Sequence, residues 1–166
     1  MVTMCYKVSA DGTSVERLEY AGTGSVYTAH LKVDKVTGRV QMEVHIRFLF
    51  QFQERAYSAN YGGNSLSIIH LTENGTLGEL DGVYNYGENC TSHPHQTFTR
   101  EYWMWVVDLG CDRIYHYLAL RAGGVARTGI VTEVRAGAGP RHAVMHPTRN
   151  LMFLLCELQS YVMVYR

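Results

Sequence analysis

Gly137–Tyr165 reads GAGPRHAVMHPTRNLMFLLCELQSYVMVY. It holds two β-like runs, Met152–Leu155 and Tyr161–Tyr165, with Arg141 and His142 just before the first and Glu157 just after it. A strand advances about 3.3 Å per residue, so the start of one strand and the end of its antiparallel neighbour meet at one rim of a sheet. Ser92–Tyr117, SHPHQTFTREYWMWVVDLGCDRIYHY, repeats the layout. There His93 and His95 precede a strand, Asp108 follows it, and Ile114–Tyr117 supply the partner.

Working outward, GSVYTAHL (Gly24–Leu31), NSLSIIHL (Asn64–Leu71), DRIYHYL (Asp112–Leu118) and QSYVMVY (Gln159–Tyr165) line up. In that alignment Leu66, Ile114 and Tyr161 are equivalent at intervals of 48 and 47, and Asn60, Asp108 and Glu157 at 48 and 49. Several short strands in a unit of 40 to 50 residues are the signature of propeller blades. Helical solenoids need long runs of period 3.6, which the Gly and Tyr content interrupts. The fold class expected is therefore all-β, a β-propeller of four-stranded antiparallel blades, incomplete at about three and a half.

Strands are expected at Ser25–Val33 and Arg39–Arg47, as a hairpin around DKVTG, then at Tyr57–Tyr61, Leu66–Leu71 and Leu77–Tyr86. Gln96–Thr99, Tyr102–Val107, Arg113–Ala119 and Gly129–Val134 would make one complete blade, and Arg141–Met145, Leu151–Leu155 and Ser160–Tyr165 begin another. Met1–Arg17 is weakly patterned. The interval from Val26 to Leu66 is only 40 residues, so a blade there has lost part of its inner strand, with Phe48–Phe52 as a substitute. No linker or low-complexity segment divides the chain, and residues 1–166 are expected to form one domain.

Fifteen Lys and Arg balance fifteen Asp and Glu, so no overall field draws nucleic acid or an acidic membrane. The four cysteines, Cys5, Cys90, Cys111 and Cys156, show no zinc-type spacing and are read as free thiols in a reducing cytosol. With no basic, then apolar, leader and no run of spanning length, the chain is expected to be soluble and cytoplasmic. Asn74-Gly75-Thr76 and Asn89-Cys90-Thr91 match the glycosylation sequon but carry no weight without a leader.

Several of these stretches together resemble the seven-bladed β-propeller lactonases, the family of the bacterial-type 6-phosphogluconolactonase and the fungal carboxymuconate cyclase. ANYGGNSLSIIHL is similar to that family's Asn-Tyr-Gly-Gly segment, SHPHQT to its PHxH element, and VVDLGCDRIYHY to its Asp-Leu-Gly-x-Asp-Arg segment. GAGPRHAVMHP followed by CELQSYVMVY resembles its Gly-x-Gly-Pro-Arg-His and Asn-Glu-Leu pair. The match runs from Gly22 to Arg166 and implies a site of His95 (or its neighbour His93), Arg141 and Glu157, with His93, His142 and Asp108 binding substrate. It also implies that this chain is a fragment or shortened form. Its open blade faces are then expected to self-associate.

Opening a lactone needs a base to activate water and positive charge where the carbonyl oxygen becomes negative. Histidine suits the first task and arginine the second, and arginine can also grip a carboxylate or phosphate with paired bonds. The implied function is hydrolysis of a small anionic sugar lactone, as in the pentose phosphate pathway, without a metal or other cofactor. Muconate cycloisomerisation and a non-catalytic interaction fragment stand as alternatives. The bland reading of Arg141 and Glu157 is an ion pair tying two strands; that of Asp108, Asp112 and Asn60 is carboxylates and amides holding turns. His30, His70, His116 and His146 read as surface or packing residues, and Trp103 with Trp105 as packing on one strand face. One departure concerns the site: His142 to Glu157 spans 15 residues but His95 to Asp108 only 13, which would displace His95 from its expected place.

Overall fold

A computed structural model describes residues 2–8, 15–22, 32–33, 40–41, 55–71, 77–120 and 124–166. All regular structure among them is β-strand, paired antiparallel. β1 (Val2–Val8) and β2 (Val15–Gly22) form a hairpin in the stretch that looked unpatterned. The register shifts opposite Cys5 and Tyr6, which pair with Glu19 and Arg17. Leu18 is the extra residue, so the alternation of β2 changes phase there and period two is lost to the eye. β3 (Lys32–Val33) and β4 (Val40–Gln41) are the described part of the expected second hairpin. Phe48–Phe52 lies outside the described residues.

Three meanders follow. β5 (Arg55–Asn60), β6 (Ser65–Leu71) and β7 (Leu77–Asn85) make a three-stranded sheet. β8 (Pro94–Arg100), β9 (Trp103–Asp108), β10 (Arg113–Ala119) and β11 (Val125–Glu133) make a four-stranded one. β12 (Pro140–Met145), β13 (Met152–Cys156) and β14 (Tyr161–Tyr165) make another of three.

The four-stranded sheet is apolar on both faces because both are covered. Met104, Val106, Tyr115 and Tyr117 pack with Tyr57, Leu66 and Ile68 of the preceding sheet. Val107, Phe98 and Ile114 pack with Ala143, Leu154 and Cys156 of the following one. Burying a side chain such as Val106 or Leu154 contributes about 2 kcal/mol of transfer free energy. Successive sheets therefore stack face on face, each a blade.

The repeat is tighter in three dimensions than the alignment suggested. Turns Tyr61–Asn64, Leu109–Asp112 and Glu157–Ser160 join corresponding strands, and their last residues all have left-handed φ: 50° at Asn64, 49° at Asp112 and 53° at Ser160. These three stand 48 residues apart each time. Pairing of Asn60 with Ser65, Asp108 with Arg113 and Cys156 with Tyr161 closes each turn. Cys156, not Glu157, is therefore the counterpart of Asn60 and Asp108; likewise Val162, not Tyr161, corresponds to Leu66 and Ile114. Glu157 is the first turn residue, equivalent to Leu109 and Tyr61.

The cysteine expectation is also corrected. Cys90, in the loop before β8, and Cys111, in the turn after β9, form a disulfide, while Cys156 is a buried free thiol. The hairpin brings its own two ends together, so residues far apart in sequence stand 5.5 Å apart at Cα.

Candidate active site at the bulged rim

Two equivalent β-bulges shape one rim of the stacked blades. Pro94 pairs with Asp108 and Gln96 with Val107, leaving His95 as the extra residue. Pro140 pairs with Cys156 and His142 with Leu155, leaving Arg141 as the extra residue. A bulge turns the side chain of its extra residue out of the strand's alternation, which is how sheets aim groups at a site. His95 and Arg141 thus occupy the same place on neighbouring blades. His95 therefore corresponds to Arg141, not to His142 with which the sequence spacing aligns it. The shortening is taken up at the far rim, where two residues join β8 to β9 and six join β12 to β13. The tight connection needs Glu101 at φ 56°.

Around these two the rim gathers four aromatic rings. Tyr61 stacks on His93 at 4.4 Å and 12°. It also meets the edge of His95 at 6.0 Å. His95 and His142 meet edge to face at 4.9 Å. His95 is 7% exposed, enclosed by Tyr61 and His142, whereas His93 and His142 are half-buried. Gln96 fixes the distance between blades: its Oε1 accepts from the Ala143 backbone N–H at 2.6 Å.

Arg141 Nη1 donates to Glu157 Oε2 at 2.7 Å, with side chains 40% and 42% exposed. Arg141 Nε is enclosed and has no hydrogen-bond partner among the described residues. The loop entering β12 is pinned by Asp112, whose carboxylate accepts from Gly137 N at 2.7 Å and Gly139 N at 2.8 Å. Glu157 N donates to Gly139 O at 2.8 Å, fixing the carboxylate's backbone against the same loop. Gly139 sits at φ 61°, and a Cβ there would meet Leu158 Cγ at 2.4 Å. Only glycine lets this turn close on the Arg141 loop.

Asp108, expected among the substrate-binding residues, is held inside the fold. It is wholly buried, and its two oxygens accept from Ser92 Oγ at 2.5 Å, His93 N at 2.8 Å, and Gly110 N and Cys111 N at 3.1 Å each. Its role is to clasp the His93 loop to its own turn. Gly110 allows the clasp to close, since a Cβ would stand 2.0 Å from Thr91 O and 2.9 Å from His93 Cδ2. The Cys90–Cys111 disulfide staples the same two segments.

Asn60 holds its turn through Ser58, Ser65 and Ser67. His70, His116 and His146 are engaged away from the rim, with Arg55 and Asp81, with Trp105 and Thr132, and with the Thr148 and Arg149 amides. Trp105 stacks on Phe98 and Trp103, as packing. Sequence reasoning missed Tyr61 as a site residue. The signal was present: it is two repeats before Glu157, at the same turn position. Among the described residues no three His, Cys, Asp or Glu side chains stand close enough to hold a metal ion. No helix among them is long and apolar enough to cross a membrane.

Stacked meander blades with a polar cluster on the rim where inner strands begin are part of a β-propeller. The profile of the family described as "Lactonase, 7-bladed beta-propeller" matches residues 32–166. The chain belongs to the seven-bladed β-propeller lactonase family. It is 32% identical over 164 residues to a 6-phosphogluconolactonase of Cronobacter sakazakii, covering 98% of this chain and 43% of that protein. It is 28% identical over 107 residues to the carboxy-cis,cis-muconate cyclase of Neurospora crassa, covering 64% of this chain and 28% of the cyclase. The crystal structure of a putative 6-phosphogluconolactonase from Bacteroides uniformis superposes with a TM-score of 0.79 at 18% identity, over 99% of this chain and 46% of that one. The chain thus spans about half the length of these bacterial relatives and supplies part of a seven-bladed ring.

Proposed function

We propose that residues 1–166 are one domain contributing the His, Arg and Glu side of a lactone hydrolase site for a small anionic sugar lactone, such as a phosphogluconolactone. The observation that carries the reading is the pair of equivalent bulges, which turns His95 and Arg141 toward one rim beside Glu157, His93 and His142. In the reaction a histidine of the 93/95 pair takes a proton from water as the water oxygen bonds to the lactone carbonyl carbon. The carbonyl electrons move to oxygen, where Arg141 meets the new negative charge. As the carbonyl re-forms, the ring C–O bond breaks and the histidine returns its proton to the leaving alkoxide. Water and lactone are thereby converted to a hydroxy acid. Glu157 orients Arg141 through their paired charge, and His142 lines the site with His93.

The muconate cyclase likeness supports a second reading, cycloisomerisation of a carboxylated muconate, because both reactions handle a small anionic lactone. Assaying the protein with 6-phosphoglucono-δ-lactone and with a carboxymuconate separates them: hydrolysis of the first and no cyclisation of the second supports the lactonase. Turnover of neither would favour a non-catalytic interaction role.

We place this work in the cytoplasm, where the bonded pair Cys90 and Cys111 would be kept as neighbouring thiols; a Cys90–Cys111 disulfide persisting in cells would overturn that placement. Alkylation in fresh cell extract decides, since both cysteines label only if reduced. We also propose that the chain self-associates through its exposed blade face.

A further inference from the structure

Within the lactonase reading, one hydrogen bond separates the two histidines that sequence could not. His93 Nδ1 stands 3.0 Å from the backbone carbonyl oxygen of Tyr61. A carbonyl only accepts, so in the neutral ring Nδ1 must carry the proton, and Nε2 is left with the lone pair. Nε2 has no hydrogen-bond partner among the described residues, and the ring lies half-buried at the rim. His95, by contrast, is closed in by two rings.

The His93 ring is held in this orientation from three sides. Tyr61 stacks flat against it, Asp108 fixes its backbone N–H, and its carbonyl accepts from Leu109 N at 3.1 Å. The Tyr61 carbonyl and ring act on the same imidazole, one setting the tautomer and the other the plane. We infer that His93, rather than His95, is the general base of the site, with Tyr61 as the positioning residue that holds its Nε2 lone pair toward substrate. This rests on the lactonase reading and deepens it.

The test uses the whole chain with 15N-labelled histidine, and 6-phosphogluconate as the probe. Long-range 1H–15N spectra should show His93 as the Nδ1–H tautomer, with Nε2 shifting as the probe is added. An Nε2–H tautomer, or a probe that moves His95 and leaves His93 unchanged, overturns the assignment. His93→Asn places an amide N–H where Nδ1 was and so keeps the bond to Tyr61, but has no base nitrogen. It should lose at least about a hundredfold in kcat with KM within about twofold. Full activity in His93→Asn, with loss in His95→Asn, sinks the inference and leaves the lactonase reading standing. A wild-type chain that neither hydrolyses the lactone nor responds to the probe overturns both. Tyr61→Leu keeps the backbone carbonyl but removes the ring that fixes the imidazole plane, so it should lower kcat while leaving the Nδ1–H tautomer in place, and Tyr61→Phe, which keeps the ring, should recover most of the loss. A structural role alone would lower thermal stability in Tyr61→Leu without lowering kcat or changing the response of His93 Nε2 to the probe.

Discussion

Single side chains here are fixed by which partners can only donate or only accept. The Trp105 indole N–H donates to His116 Nδ1 at 3.2 Å, so that nitrogen must be unprotonated, and Nε2–H faces Thr132 Oγ1 at 2.8 Å. Burial also pushes the His116 imidazole below its ordinary value, because desolvation disfavours the charged ring. Because the unfolded chain then binds the proton more readily, stability is full above about pH 6.5 and falls as pH drops through the folded value. Thermal melts from pH 7.5 to 5.5 should show this loss, and His116→Gln should flatten the slope. A slope unchanged by the substitution would remove His116 as its source. Sequence could list His116 among packing residues because it alternates within an apolar strand. It could not show that Asp108 would be consumed by four donors, since these are three backbone amides and a hydroxyl brought together only by folding.

At the scale of elements, strands with clean alternation between glycine or aspartate turns were legible, and the residue-by-residue phase was not. The alignment that set Tyr161 beside Ile114 slipped by one because Glu157 carries the same charge as Asp108. Backbone conformation, not charge, repeats at 48 residues. β2 was missed where its bulge shifts the phase, and the bulges at His95 and Arg141 were equally invisible in the one-dimensional pattern. The repeat also exposes a weak point. Left-handed φ suits Asn64 and Asp112 but costs an ordinary residue such as Ser160 about 1 kcal/mol. Ser160→Asn should recover part of that and raise the melting temperature by about 2 °C. A lower melting temperature would mean that the exposed Ser160 makes a contact the repeat argument ignores.

For the molecule as a whole, the last blade carries the account of association. Val144 pairs with Phe153 and Phe153 with Val164, while His142 pairs with Leu155 and Leu155 with Val162, all on one face. Val144, Val162 and Val164 are each more than half exposed. Their register counterparts in the preceding blade, Phe98, Ile114 and His116, lie on the face that the following blade covers; Phe98 and Ile114 are buried there. An apolar sheet face of this kind is an interaction surface. Light scattering of the 166-residue chain should show association that Val162→Asp with Val164→Asp abolishes; a monodisperse wild-type monomer would count against it. The propeller class was readable because the blades repeat, but which faces are covered follows only from register.

The central claim is that Arg141, aimed by its bulge and oriented by Glu157, meets the anionic oxygen of a lactone at the rim. The most direct measurement is kcat/KM for 6-phosphoglucono-δ-lactone, on this chain and on a chimera joining it to the remaining blades of the Cronobacter relative. Wild-type Arg141 is to be compared with Arg141→Ala and Arg141→Lys in each. Removing the guanidinium should cost about 3 kcal/mol, on the order of a hundredfold, with lysine rescuing only part because an ammonium lacks the planar fork. Equal rates for wild type and Arg141→Ala in an active chimera would contradict the claim.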